Sequence, residues 1–174
     1  MTTDTITRTA PGEAPAFARE PEKARKLCII CSKGSLDMTY PGLVLANSAL
    51  GEGVEVDMFF TFWGLDIVTK HRMGKLKTTP VGNTAMHMPQ LLGVIPGMAS
   101  LASKMMRKQI AGLGVPDVPE FLDTVVDAGA RLWACKMSYD MMKLKEGDLY
   151  EGVLGVISAA DFIEMSEDAQ IIFV

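Results

Sequence analysis

Arg131-Leu-Trp-Ala-Cys135-Lys136-Met137-Ser138-Tyr139-Asp140-Met141-Met142 decides how this 174-residue chain is read. Arg131 to Ala134 is a short apolar strand, a cysteine follows, and the chain then turns at once into a helix over Ser138 to Leu144. A cysteine at such a junction lies against the first unpaired N–H groups of the helix, where the positive end of the macrodipole favours an anion. Lys136 follows directly and can add a cation. Both effects favour thiolate over thiol, and in such settings a thiol pKa of about 8.5 falls by about one to several units. Cys135 is therefore the candidate nucleophile. The competing reading is a buried structural cysteine at a strand end, because free Cys is among the most buried residue types.

Upstream, Lys26-Leu-Cys-Ile-Ile-Cys31 is a compact apolar run that suits a buried parallel strand, and Ser32-Lys-Gly-Ser35 leads from it into a helix. Ser35 or Asp37 can cap that helix, Pro41 suits its first turn, and Leu43, Ala46, Asn47 and Leu50 share one face. Val54 to Phe60 is a second strand, and Thr61-Phe-Trp-Gly64 leaves its end to open a helix over Leu65 to Arg72. Met98, Leu101, Ala102, Met105 and Ile110 recur at helical spacing, with Lys104, Arg107 and Lys108 on the other side. A further helix carries Phe121, Leu122, Val125 and Val126 inward and ends at Gly129. Gly147 to Gly155 reads as turns, Ala159 to Met165 as helix, and Gln170 to Val174 as a last strand.

Strands alternating with helices at this spacing predict an α/β three-layer sandwich, with about five mostly parallel strands and helices on both faces. Ligands in such open sheets bind beyond the carboxyl ends of the strands. If the strands ending at Cys31 and Cys135 are neighbours, their loops face one crevice, where Lys33, the Gly34 backbone and Ser35 could hold an oxyanion. Ser138 and Lys136 complete this predicted substrate-binding group, and Cys31 and Trp63 are candidates for lining the crevice.

Composition narrows the function classes. A net charge of −4 argues against nucleic acid as the main partner. Three cysteines make no disulfide framework and suit a reduced, cytoplasmic compartment. Cys28 and Cys31 form a C-x-x-C, but within one strand their Cα atoms stand about 10 Å apart, beyond the roughly 7 Å a disulfide allows. His71 and His87 are too isolated to build a metal site, and no base can be placed beside Cys135 for a hydrolase. No metal, cofactor or membrane span is expected. Residues 1–24 read as a disordered leader, and 25–174 as one domain with a Met-rich helical insertion near 85–112.

Cys31-Ser-Lys-Gly-Ser-Leu-Asp37, Thr61-Phe-Trp-Gly64, the methionines from Met98 to Met106 and Ala134-Cys-Lys-Met-Ser-Tyr-Asp140 resemble the DsrE/DsrF-like family. Within that family the likeness is to the branch with a Ser-Lys-Gly loop and a long Met-rich insertion, sometimes labelled peroxiredoxin-like. The resemblance implies a small cytoplasmic sulfurtransferase or sulfur carrier, commonly a homo-oligomer, serving sulfur oxidation or sulfur trafficking. It would take sulfane sulfur from a donor such as thiosulfate or polysulfide as a persulfide on Cys135. The acceptor would be a TusA-like or rhodanese-type carrier protein. The alternative is a non-catalytic module that binds a partner or ligand through its Met-rich helix, with Cys135 structural. A thiol peroxidase is disfavoured, because the Pro-x-x-x-Thr/Ser-x-x-Cys arrangement is missing.

Overall fold

The computed structural model describes residues 25–78 and 97–174. The elements are β1 (Lys26–Cys31), α1 (Leu36–Gly51), β2 (Glu55–Phe60), a 3₁₀ helix over Phe62–Val68 with the short α2 (Lys70–Met73), α3 (Met98–Gly112), α4 (Val118–Asp127), β3 (Arg131–Cys135), α5 (Lys136–Met141), β4 (Val153–Ile157), α6 (Ala159–Met165) and β5 (Gln170–Phe173). Among the described residues the strands form one five-stranded parallel sheet in the order β4-β3-β2-β1-β5, so the α/β class holds.

That order follows from handedness. Right-handed crossovers stepping from β1 through β2 and β3 to β4 place their helices on one face. The return from β4 to the far edge beside β1 must then carry α6 across the other. Accordingly Leu27, Ile29, Val56, Met58 and Leu132 pack with Leu43 and Ala46 of α1 and Leu122 and Val125 of α4. On the opposite face Cys28, Phe59 and Cys135 gather around Phe162 of α6, with the Phe59 and Phe162 rings stacked 4.5 Å apart. Local signals agree with both helices. Asp117 caps α4 by accepting from the Glu120 amide, with Pro119 in the first turn, and Ser158 and Asp161 form a capping box on α6.

Several expectations need correction. β4 begins within the stretch read as turns and runs past it to Ile157, because Gly155 packs beneath the Trp133 ring on the neighbouring strand and interrupts the apolar pattern. The helix expected over Leu65 to Arg72 is a 3₁₀ segment followed by a single turn of α2. Pro41 sits inside α1 rather than in its first turn, because the helix already starts at Leu36, whose N–H donates to the Lys77 carbonyl (3.0 Å). Ser35 is the N-cap residue, without a side-chain bond, and Asn47 is exposed. α3 is turned from its expected face: Ala102 and Ser103 are buried, while Leu101 and Met105 are exposed. The leader 1–24, the part of the insertion over 85–96 and His87 lie outside the described residues. Among the described residues, no helix is long and apolar enough to cross a membrane.

Candidate functional site

β3 ends on Cys135, and the polypeptide enters α5 without an intervening loop. Phe60 of β2 is in register with Ala134 of β3, so Thr61, the first residue beyond β2, comes level with Cys135. Ser138, in the first turn of α5, is fully buried, and its Oγ lies 3.2 Å from the Thr61 Oγ1. The Phe62 N–H also donates to the Ser138 Oγ, at 2.7 Å. That bond holds Phe62 at φ +46°, a left-handed conformation that ordinarily costs a non-glycine residue about 1–3 kcal/mol.

Cys135 is 4% exposed. Burial, the largest single influence, favours its neutral thiol, yet the pKa is held below the ordinary thiol value. The Thr61 hydroxyl, the Ser138 amide and hydroxyl, and the Met137 amide favour the thiolate and together outweigh the desolvation. The other two cysteines show what burial does alone. Desolvation pushes Cys31 up to about 12, and it raises Cys28, with Asp57 adding to the effect. Of the three sulfurs, Cys135 alone is shifted toward the thiolate.

The residues expected around it are sorted differently. Lys136 pairs with Asp140 one turn along the exposed side of α5, and is not among the groups that lower the Cys135 pKa. Lys33, Gly34, Ser35 and Trp63 do meet, but in a cavity of about 580 Å³ whose lining does not include Cys135. The cause is strand order: β2 separates β1 from β3, so the loops after Cys31 and Cys135 are not neighbours. Cys31 does not line a crevice either, since its sulfur turns inward against Gly42 of α1. Of the predicted group, Ser138 alone is among the groups that lower the Cys135 pKa. Thr61, its partner, was missed. A threonine closing an apolar strand carries no signal until β2 and β3 are known to be adjacent.

The model of the DsrE/DsrF/DrsH-like family matches residues 23–174, a span that contains the whole described fold. The chain belongs to that family. Among DsrE/DsrF/DrsH-like relatives, the sulfur carrier protein DsrE2 of Allochromatium vinosum is 35% identical over 155 residues, covering 84% of this chain and 96% of that protein. The uncharacterized protein YrkE of Bacillus subtilis is 24% identical, covering 80% and 94%. Two solved structures share the fold at a TM-score of 0.53: MTH1491 from Methanobacterium thermoautotrophicum (11% identity) and ychN from E. coli (10% identity). Each likeness covers 86% of this chain and 99% of the solved one.

The donors around Cys135 in this DsrE/DsrF/DrsH-like protein lead to a pH prediction. Ser138→Ala and Thr61→Val each remove a hydroxyl that favours the thiolate, so the Cys135 pKa should rise toward the ordinary thiol value. The thiolate fraction at neutral pH then falls by about tenfold per unit of pKa gained. Iodoacetamide alkylation of Cys135, followed against pH by peptide mass spectrometry, should show the midpoint moving up in both variants. An unmoved midpoint would leave the hydroxyls without an electrostatic role.

Proposed function

We propose that this chain is a sulfur carrier that holds sulfane sulfur as a persulfide on Cys135 and passes it to a partner protein. One observation carries the reading: Cys135 closes β3 directly against the first turn of α5, where the Thr61 and Ser138 hydroxyls meet, and its pKa is shifted down while those of Cys28 and Cys31 are shifted up. The 35% identity to a protein named as a sulfur carrier supports the same reading.

In the loading step the Cys135 thiolate attacks the outer sulfur of thiosulfate. A new S–S bond forms, the old one breaks, and sulfite leaves with the electron pair. In unloading, an acceptor thiolate takes the terminal sulfur of the persulfide and Cys135 departs as thiolate, so no external oxidant or reductant is needed. The donors that favour the thiolate also suit a persulfide anion. At 4% exposure Cys135 must be uncovered for either step, which calls for local opening at the carboxyl end of the sheet. TusA-like and rhodanese-type proteins are acceptors of the right chemistry. Exposed Ile171 and Phe173 on the edge strand β5, with Ile163 on α6, support association between copies of the chain.

The rival reading, a binding module that uses α3, draws on the exposed Leu101 and Met105. Incubation with thiosulfate, polysulfide or a persulfidated carrier, then peptide mass spectrometry, separates the two. The carrier reading expects the Cys135 peptide to gain mass in steps of one sulfur atom, with nothing added to the Cys28 and Cys31 peptides. Loading should vanish in Cys135→Ser. Full loading of that variant would end the proposal.

A further inference from the structure

The cavity that holds Lys33 and Trp63 is built from side chains the carrier reading does not use. Lys33, Arg72, Lys75 and Lys77 line it, against a single carboxylate, Asp66, which is already bound to Arg72 at 2.5 Å. Among the described residues four cations therefore face one paired carboxylate, in a chain whose net charge is −4. Like charges gathered in this way repel one another unless a counter-ion sits among them.

The backbone that carries these cations is held in place by the fold. Leu76 is buried between Lys75 and Lys77, and its carbonyl accepts from Arg107 Nη2 of α3 at 2.7 Å. The Lys77 carbonyl accepts from the Leu36 amide, and the Thr78 amide donates to the Ser103 Oγ of α3 at 2.8 Å. The segment is thereby fastened across the start of α1 on one side and to α3 on the other. The opposite wall is equally fixed. A Cβ on Gly34 would lie 2.2 Å from the Trp63 carbonyl oxygen, so the two loops touch backbone to backbone. Arg72 Nε donates to His71 Nε2, which steadies the guanidinium beside Asp66. Trp63 stands 62% exposed at the rim. The volume of about 580 Å³ lies in the range of small-molecule sites.

The geometry points to a second site, separate from Cys135, that binds a small polyanion through its phosphate or sulfonate oxygens. This goes beyond the carrier reading and stands or falls independently of it. The test is calorimetric titration with pyrophosphate and ADP as phosphate sources and thiosulfate as the sulfonate-like one. The thiosulfate arm is run in Cys135→Ser, so that sulfur loading adds nothing to the heat. Saturable binding of at least one probe is expected, weakening as ionic strength rises. The double variant Lys75→Glu/Lys77→Glu should bind that probe at least tenfold more weakly, with its circular dichroism and its loading of Cys135 unchanged. Which class of probe binds identifies the source of the anion. The site is refuted if no probe saturates, if the double variant binds undiminished, or if Cys135→Ser abolishes phosphate binding.

Discussion

Asp57→Ala is expected to destabilise the fold by about 3–5 kcal/mol, the usual consequence of removing one partner from a buried ion pair. Asp57 is fully buried in mid-sheet on the half-covered face. Its Oδ1 accepts from Arg131 Nε (2.8 Å) and Trp133 Nε1 (2.9 Å), and its Oδ2 accepts from Arg131 Nη2 (2.8 Å). Lys26 Nζ stands 3.3 Å from Oδ2 and also donates to the Met165 carbonyl at the end of α6. One carboxylate thus ties β1, β2, β3 and α6 together. Removing it strands Arg131 and Lys26 and frees the helix that covers Phe59. Thermal unfolding should show a drop of roughly 10 °C, and a loss below about 1 kcal/mol would mean that solvent already screens the network.

The same group sets an acid limit. Burial works against the Asp57 carboxylate, but the bonds from Arg131 and Trp133 outweigh it and hold its pKa below the ordinary Asp value. A group whose pKa is depressed in the folded state stabilises fully above its unfolded value, about 3.9, and loses that contribution as pH falls through the folded value. Asp57→Asn should therefore flatten the fall in stability below about pH 4. An unchanged acid profile would assign that fall to other carboxylates.

Gly64→Ala carries the second large effect, because the added methyl has nowhere to go. Its Cβ would lie 2.0 Å from the Cys31 carbonyl oxygen and 2.7 Å from the carbonyl carbon, both backbone atoms. The Gly64 amide donates to the Ser32 carbonyl and the Thr61 amide to the Cys31 carbonyl, so this turn is stitched flat against the end of β1. Pushing it away should cost about 1–3 kcal/mol or more. It should also draw Thr61 and Phe62 off Ser138, so that the alkylation midpoint of Cys135 rises as it does in Thr61→Val. Gly112→Ala, where a Cβ meets nothing within 4 Å at the end of α3, is the control and should neither lower stability nor shift the midpoint. A Gly64→Ala protein with normal stability and an unmoved midpoint would uncouple the turn from the thiol.

Most strands and helices, and the place of Cys135 at a strand end, were legible in the chain because they rest on local chemistry. The apolar run of Lys26 to Cys31 and the Arg131-to-Cys135 strand leading straight into α5 signal themselves by composition and by neighbouring residues. The order of the strands is a global property, and it decided the site. With β2 placed between β1 and β3, Lys33 was removed from Cys135 and Thr61 was brought up to it. The expectation that lysines would stabilise the thiolate gave way to hydroxyls and amides for the same reason. A cation is conspicuous in a sequence, whereas a hydroxyl counts only when folding aims it at the sulfur. Sequence by itself thus determined the alternation of strands and helices and the position of Cys135 at the end of one of them. Only the tertiary structure decided which donors surround that sulfur and which cations share a cavity, because both depend on contacts between segments far apart in the chain.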